Sequence, residues 1–478
     1  MTSEARPVWG LPRSIPSDDL PDRVDDVVVG GGITGLVTAV ALARAGRDVC
    51  VLEARSPGAG ASGRNTGKIS LLQGTRLSQV SRNQGDEVAR AYLEANREGQ
   101  DWVRGFCSEV GVPVQERIAA TYAASPDQRS SVQDEHDVAA RLGLDVQWTE
   151  GDLDGLSTSG AVTLAGQLQV DPAVLSAALA DAVRGAGGRV VTGARVRRLS
   201  VDASTVHLEG GHRIATTSVV VATGSPVIDR GLQVTQLKAV RSYIVAFRWS
   251  GTVAHMALSA GSDSRSIRDA ADPEGQPLLL VGGAGHTVGR KRDESAGLDR
   301  LRRWTQQHFD KAEEVAAWGA QDHSTTSGVP LVGRMPLSRG VVRLATGFDK
   351  WGLTNGPAAG LAMARDILGD QALGHPVSYL GARPAPASWA INNALTGAHM
   401  VRDLAAAVLP GTGGDVTVKD LARGCGVCPH MGGLLRWNSA EETWDCPLHG
   451  SRFATDGSVL EGPAQRPAKV PPPPESGT

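Results

Sequence analysis

Nowhere does the 478-residue chain string together the roughly eighteen apolar residues that a membrane-crossing helix needs, so no membrane partner is expected. It has no lysine or arginine run, and its formal net charge is only −3. That leaves no basic footprint for nucleic acid or for an anionic lipid surface. The first residues, Met1 to Asp22, are polar, acidic and proline-containing. They lack the charged start and apolar stretch of a secretory leader, so a cytoplasmic location is the expectation. No internal repeat is found. Cysteine is scarce and odd in number, with five in all. Three of them, Cys425, Cys428 and Cys446, crowd toward the end of the chain beside His430 and His449. In a cytosolic protein such clustering indicates metal binding ahead of disulfides.

What is present is globular: 41% hydrophobic and 21% charged residues, in a chain long enough for about three structural units. The first unit is an extended arm over 1–24, broken by Pro7, Pro12, Pro16 and Pro21. Alternating βαβ signals with inserted β structure fill an α/β body over 25–372. A helical linker over 373–414 ends in the glycine-rich joint Pro410 to Gly414. A cysteine/histidine segment over 415–465 follows, and then a proline-rich tail over 466–478 that is expected to lie extended or disordered.

The strongest motif stands near the start. Val27 to Val29 reads as a buried strand; Gly30, Gly32 and Gly35 form a GxGxxG turn; Ile33, Leu36, Val37 and Val40 open a helix; and Val49 to Leu52 form the next strand, with Glu53 at its end. Each part has a mechanical use in binding a dinucleotide. Gly30 allows the tight turn, Gly32 lets the backbone approach a pyrophosphate, Gly35 lets helix and strand pack closely, and Glu53 accepts from a ribose hydroxyl. A second glycine run, Gly282 to Gly289, also follows an apolar strand but leads into Arg290 to Glu294 rather than an apolar helix. It is expected to be a turn in the substrate domain, which leaves no second nucleotide unit.

At the other end, Cys428-Pro-His430 and Cys446-Pro-Leu-His449 make a CxH…CxxH pattern. Two cysteines and two histidines can hold zinc. The same set can instead hold a cluster in which two thiolates bind one iron and two imidazoles the other.

Beyond the first motif, residues 25–372 resemble the D-amino-acid oxidase-like, or glycine/sarcosine oxidase-like, superfamily. Gly60 to Lys68, with Ser62, Arg64 and Asn65, is similar to that family's loop under the isoalloxazine ring; Asp171 and Pro172 start a helix. Val219 to Gly224 is similar to its second glycine turn, and Thr346 to Pro357, with Gly347, Gly352 and Thr354, to its C-terminal flavin motif. The resemblance implies a Rossmann-type FAD-binding domain (about 25–80, 160–225 and 320–372) interleaved with an antiparallel-sheet substrate domain (about 81–159 and 226–319). It implies FAD held without a covalent bond. It also puts Lys68, Tyr243, Lys350 and Trp351 forward as catalytic candidates, with Arg241 and His286 near the same cavity. Residues 415–465, with Gly450 to Phe453 and Gly462 to Ala464, resemble the Rieske family. The implication is a small all-β domain in which Cys428, His430, Cys446 and His449 hold a 2Fe-2S cluster. The disulfide cysteines of high-potential members are replaced by Gly433 and Leu448, and a sulfur-donating tyrosine by Phe453, while Ser451 remains. Fewer donors imply a lower potential.

Together the two resemblances imply an FAD-dependent oxidoreductase that oxidises a C–N bond of a small amine or amino acid by hydride transfer. Its electrons would pass to the fused cluster and then to a one-electron acceptor protein. The alternatives are an oxygen-using amine oxidase with a structural or sensing cluster, and an electron-transfer or regulatory protein without an amine substrate. A flavoenzyme acting on tRNA is disfavoured by the missing basic patch.

Overall fold

The computed structural model describes residues 7–9, 17–291, 293–408 and 415–474. The joint from Pro410 to Gly414 lies outside these, as does most of the N-terminal arm. Valine-rich strands with no polar face can sit only in the middle of a sheet covered on both sides. Accordingly Asp26–Val29, Val49–Leu52 and Ser218–Val221 are buried along their whole length. They form the centre of a six-stranded sheet whose inner pairs are parallel and whose edge strand, Leu331–Arg334, runs antiparallel. Helix Ile33–Arg44 lies over this sheet and packs against helix Gly352–Leu368. The approach of helix to strand is close enough that a Cβ on Gly35 would stand 2.1 Å from the Gly30 carbonyl oxygen.

A nine-stranded, largely antiparallel sheet forms the second layer. Its long strands Leu156–Val170, Leu237–Arg248, Pro277–Thr287 and Glu313–Thr325 alternate their side chains between two buried faces. The sheet extends into ranges expected for the nucleotide domain, through Lys68–Ile69 and the ends of Leu156–Val170 and Glu313–Thr325. The second glycine run is not a turn. Gly282 and Gly283 sit within strand Pro277–Thr287, where a Cβ on Gly283 would meet the Ser264 carbonyl oxygen at 2.6 Å.

The third unit is a four-stranded antiparallel sheet, Arg436–Asn438, Thr443–Asp445, Arg452–Phe453 and Val459–Glu461, wrapped around Trp444, Leu435 and Phe453. The fold is therefore mixed α/β with a small all-β unit at the C-terminal end. Described residues of the arm and of the tail are packed. Trp9 is buried edge-on against Trp318, and its indole donates to the Gly63 carbonyl at 3.0 Å. At the other end, the Ala468 amide donates to Gly457 and the Lys469 carbonyl accepts from Gly426.

Candidate active site and cluster site

A single elongated cavity runs from the first glycine turn to the start of helix Gly352–Leu368. Gly30, Gly32, Glu53, Ser62, Asn65, Gly224 and Gly352 line it. The Glu53 carboxylate accepts from the amides of Gly31 at 2.7 Å and Arg55 at 2.8 Å, which fixes its orientation at the strand end. Ser62 Oγ accepts from the Ile33 amide at 2.9 Å, satisfying one free N–H at the helix start. Asn65 holds the loop together through Ala61, Ser62 and Gly67. Arg64, Gly347 and Thr354 stand behind the lining rather than on it. The Arg64 guanidinium donates to the Ala59 carbonyl, Gly347 packs on Thr325, and the Thr354 hydroxyl is bonded to Gln73 and Trp351. Gly35 acts through packing, as described above.

At the far end of the cavity stand Lys68, Lys350, Trp351, Asp322 and Ser242. Lys68 Nζ donates to the Ala257 carbonyl and Ser266 Oγ, and burial, aided by Arg268, holds its pKa well below that of a free lysine. Lys350 follows Asp349 in a turn where both residues have left-handed backbones, φ 74° and 47°. The turn is held from three sides. Asp349 pairs with Arg76, the Asp349 amide donates to the His323 carbonyl, and the Lys350 amide donates to Asp322 Oδ2 at 2.6 Å. A strained turn fixed this firmly is characteristic of functional positions. Burial lowers the Lys350 pKa and raises that of Asp322 to about 6. The Ser242 hydroxyl is buried there with no hydrogen-bond partner among the described residues.

Tyr243 also lines the cavity, but its hydroxyl points away from this group, toward Asn438. On strand Leu237–Arg248, Val240, Ser242 and Ile244 alternate with Ala239, Arg241 and Tyr243. The second set faces the four-stranded unit. Tyr243 Oη lies 3.5 Å from Asn438 Oδ1, with its ring stacked on His286, and Arg241 pairs with Glu441. The neighbouring strand repeats the division. Ala320 and Asp322 pair with Ser242 and Val240, while Gln321 pairs with Arg241 and donates to the Gly450 carbonyl at 2.8 Å. Ser242 and Asp322 carried no motif in the sequence; the signal for them was strand alternation, which becomes informative only once one face is known.

The two cysteine/histidine loops come together at the tip of the small unit. The neighbouring Cys446 thiol lowers the Cys428 pKa, while Cys428 and burial raise that of Cys446. The His430 and His449 rings stand 5.2 Å apart, and burial lowers the pKa of both, that of His449 to about 4. His449 Nδ1 is buried without a protein partner, as a ligand atom is. Among the described residues no three Cys, His, Asp or Glu side chains converge as a single-ion site. Two pairs of donors, one of sulfur and one of nitrogen, suit a binuclear cluster. Leu448 packs into the space beside Gly433 where a bridging disulfide would run, and Phe453 is fully buried.

Comparison with known proteins agrees with this geometry. A family model for FAD dependent oxidoreductases (DAO) matches residues 25–365, and one for the Rieske [2Fe-2S] domain matches residues 416–472. Over 95% of both chains the protein is 26% identical to the putative Rieske 2Fe-2S iron-sulfur protein YhfW of Bacillus subtilis. It is 28% identical to gamma-glutamylputrescine oxidoreductase of Escherichia coli over 45% of this chain and 53% of that one. In fold it resembles glycine oxidase from Geobacillus kaustophilus, with a TM-score of 0.63 and 21% identity over 76% of this chain and 99% of that one. Among the described residues no helix is long and apolar enough to cross a membrane.

Proposed function

For a chain that belongs to the FAD dependent oxidoreductase family and carries a C-terminal Rieske domain, we propose the oxidation of a C–N bond in a small amine or amino acid, with the electrons leaving through the cluster to a one-electron acceptor. When bound, FAD supplies a hydride acceptor and the 2Fe-2S cluster a one-electron site. The observation that carries the reading is strand Glu313–Thr325. Ala320, Gln321, Asp322 and His323 of this strand line the flavin cavity, and the Gln321 side chain also holds the Gly450 carbonyl, next to the candidate cluster ligand His449.

The side chains at the far end of the cavity suit an amine. A lysine whose pKa is lowered by burial, as that of Lys350 is, can take the proton from a substrate ammonium and leave the neutral amine that hydride transfer needs. Asp322 opposes it with negative charge above about pH 6 and fixes its backbone. Ser242 offers a free hydroxyl for orientation. Helix Gly352–Leu368 begins at the cavity, and its N-terminal end favours negative charge on a reduced flavin. The E. coli relative, a gamma-glutamylputrescine oxidoreductase, supports an amine as substrate.

Anaerobic titration with a panel of primary and secondary amines and amino acids tests the reading. At least one is expected to bleach the flavin, and Lys350→Met is expected to slow that step by about 10²- to 10⁴-fold. Acid is expected to release the FAD. A flavin that no amine bleaches would overturn the assignment.

A further inference from the structure

The Glu53 end of the flavin cavity is not walled by the oxidoreductase body alone. Leu460, Glu461, Gly462, Ala464 and Gln465, at and beyond the last strand of the small sheet, line it together with Arg55 and Thr223. The segment is fastened to the body at several points. Glu461 Oε1 lies 3.8 Å from Arg55 Nη2, two residues beyond Glu53. Arg195 Nη2 donates to the Val459 carbonyl at 3.3 Å, and the Gln465 side-chain amide donates to the Val227 carbonyl. Gly462 packs so closely on Val227 that an added Cβ would stand 3.2 Å from its Cγ1.

The same segment is tied to the cluster site. The Ala464 amide donates to Ser451 Oγ at 3.0 Å, and the Ser451 carbonyl accepts from the Cys446 amide at 2.8 Å. Ser451 thus joins the loop of a candidate cluster ligand to a residue of the cavity wall. Ser451 itself is buried, in a turn whose ends are held by the bond from the Cys446 amide to the Ser451 carbonyl.

We infer that the Rieske domain supplies one wall of the adenosine end of the FAD site, and that filling the cluster site tightens FAD binding through Ser451 and Ala464. Glu53, the residue at that end, marks it as the adenosine end, because the acidic residue of this fingerprint accepts from the ribose. Iron held by Cys446 would fix the loop that Ser451 closes, and with it the segment from Ala464 to Gln465 that is bonded to Ser451. The linkage is reciprocal: FAD must stabilise the cluster by the same factor. The inference concerns binding alone and stands whichever substrate is oxidised.

The test uses the full chain, freed of FAD and retaining its cluster by electron paramagnetic resonance. FAD binding is followed by the change in flavin fluorescence, with ADP as a probe that lacks the flavin ring. Gln465→Ala and Glu461→Ala are each expected to raise the FAD Kd by about tenfold, and to weaken ADP by a similar factor while the cluster spectrum is unchanged. Removing the iron from the wild-type protein is expected to raise the FAD Kd comparably, and rebuilding the cluster to restore it. Ser451→Ala is expected to weaken FAD with Gln465 intact; if that variant loses its cluster, the expectation for the iron-free protein applies to it. An FAD Kd within twofold of wild type in both wall variants, or an ADP affinity unaffected by them, would overturn the wall. An FAD Kd indifferent to removal of the cluster would overturn the linkage. Failure of the amine reading would appear as a flavin that binds normally and is not bleached, a different result.

Discussion

A carboxylate that faces a cavity and resists ionisation sets a pH threshold for whatever the cavity does. The Asp322 carboxyl, pushed up to about 6 by burial, is charged above that pH and neutral below it. The amine-dependent rate of flavin reduction is therefore expected to fall as pH drops through about 6, as the charge facing the substrate ammonium is lost. In Asp322→Asn that limb should vanish, and the rate at pH 8 should be about 10- to 100-fold lower. Stopped-flow reduction across the pH range checks both. A limb near pH 6 that persists in the variant would assign it to another group. Nothing in the local sequence marked Asp322, whereas the glycines and Glu53 could be placed in advance because a dinucleotide fingerprint fixes backbone conformation and spacing together. The paired thiol and imidazole candidates stood out for the same reason, since a cluster dictates both residue type and interval. Side chains that touch a substrate obey no such rule.

Strand Leu237–Arg248 shows where element-level reading stops. The resemblance put Tyr243 forward as a catalytic candidate, but where its hydroxyl lies depends on which face of the strand meets the flavin. A shift of one residue reverses the answer. The face that carries Arg241 and Tyr243 instead docks the small sheet, through a charge cluster in which Glu441 lies between Arg241 and Arg452, and Arg452 also meets Asp445. All four are nearly or fully inaccessible to solvent. Removing Glu441 would leave two guanidiniums without that partner, so Glu441→Ala is expected to destabilise the protein by about 3–5 kcal/mol and to free the Rieske domain to unfold in a separate transition. Tyr243→Phe, on the same face, is expected to leave flavin reduction within about twofold of wild type, because its hydroxyl meets only Asn438 at 3.4–3.5 Å. Denaturant unfolding followed by flavin and cluster absorbance checks the first. A hundredfold loss of flavin reduction in Tyr243→Phe would return that residue to the catalytic group.

At the scale of the molecule, the oxidoreductase and Rieske units are not beads on a linker. The small sheet meets the substrate sheet through Glu441, Asn438 and Gly450, and meets the nucleotide domain through Val459, Glu461 and Gln465. A Cβ on Gly450 would stand 2.2 Å from that of Ala239, so the two surfaces approach as closely as parts of one core. None of this could be read from the sequence, because contacts between distant segments leave no periodicity behind. The glycine-rich composition of Pro410 to Gly414 says nothing about what the surfaces on either side do. Fixed docking of a cluster loop on the back of a cavity strand is the arrangement that a direct electron path requires. The most direct test is an anaerobic single turnover with an amine that bleaches the flavin, followed by freeze-quenching and electron paramagnetic resonance. The relay predicts that the signal of a reduced Rieske cluster grows in after the flavin bleaches. It also predicts that His449→Ala, with FAD bound, bleaches normally but loses turnover with one-electron acceptors. A cluster that stays oxidised while the flavin is reduced, with turnover sustained by oxygen alone, would contradict it.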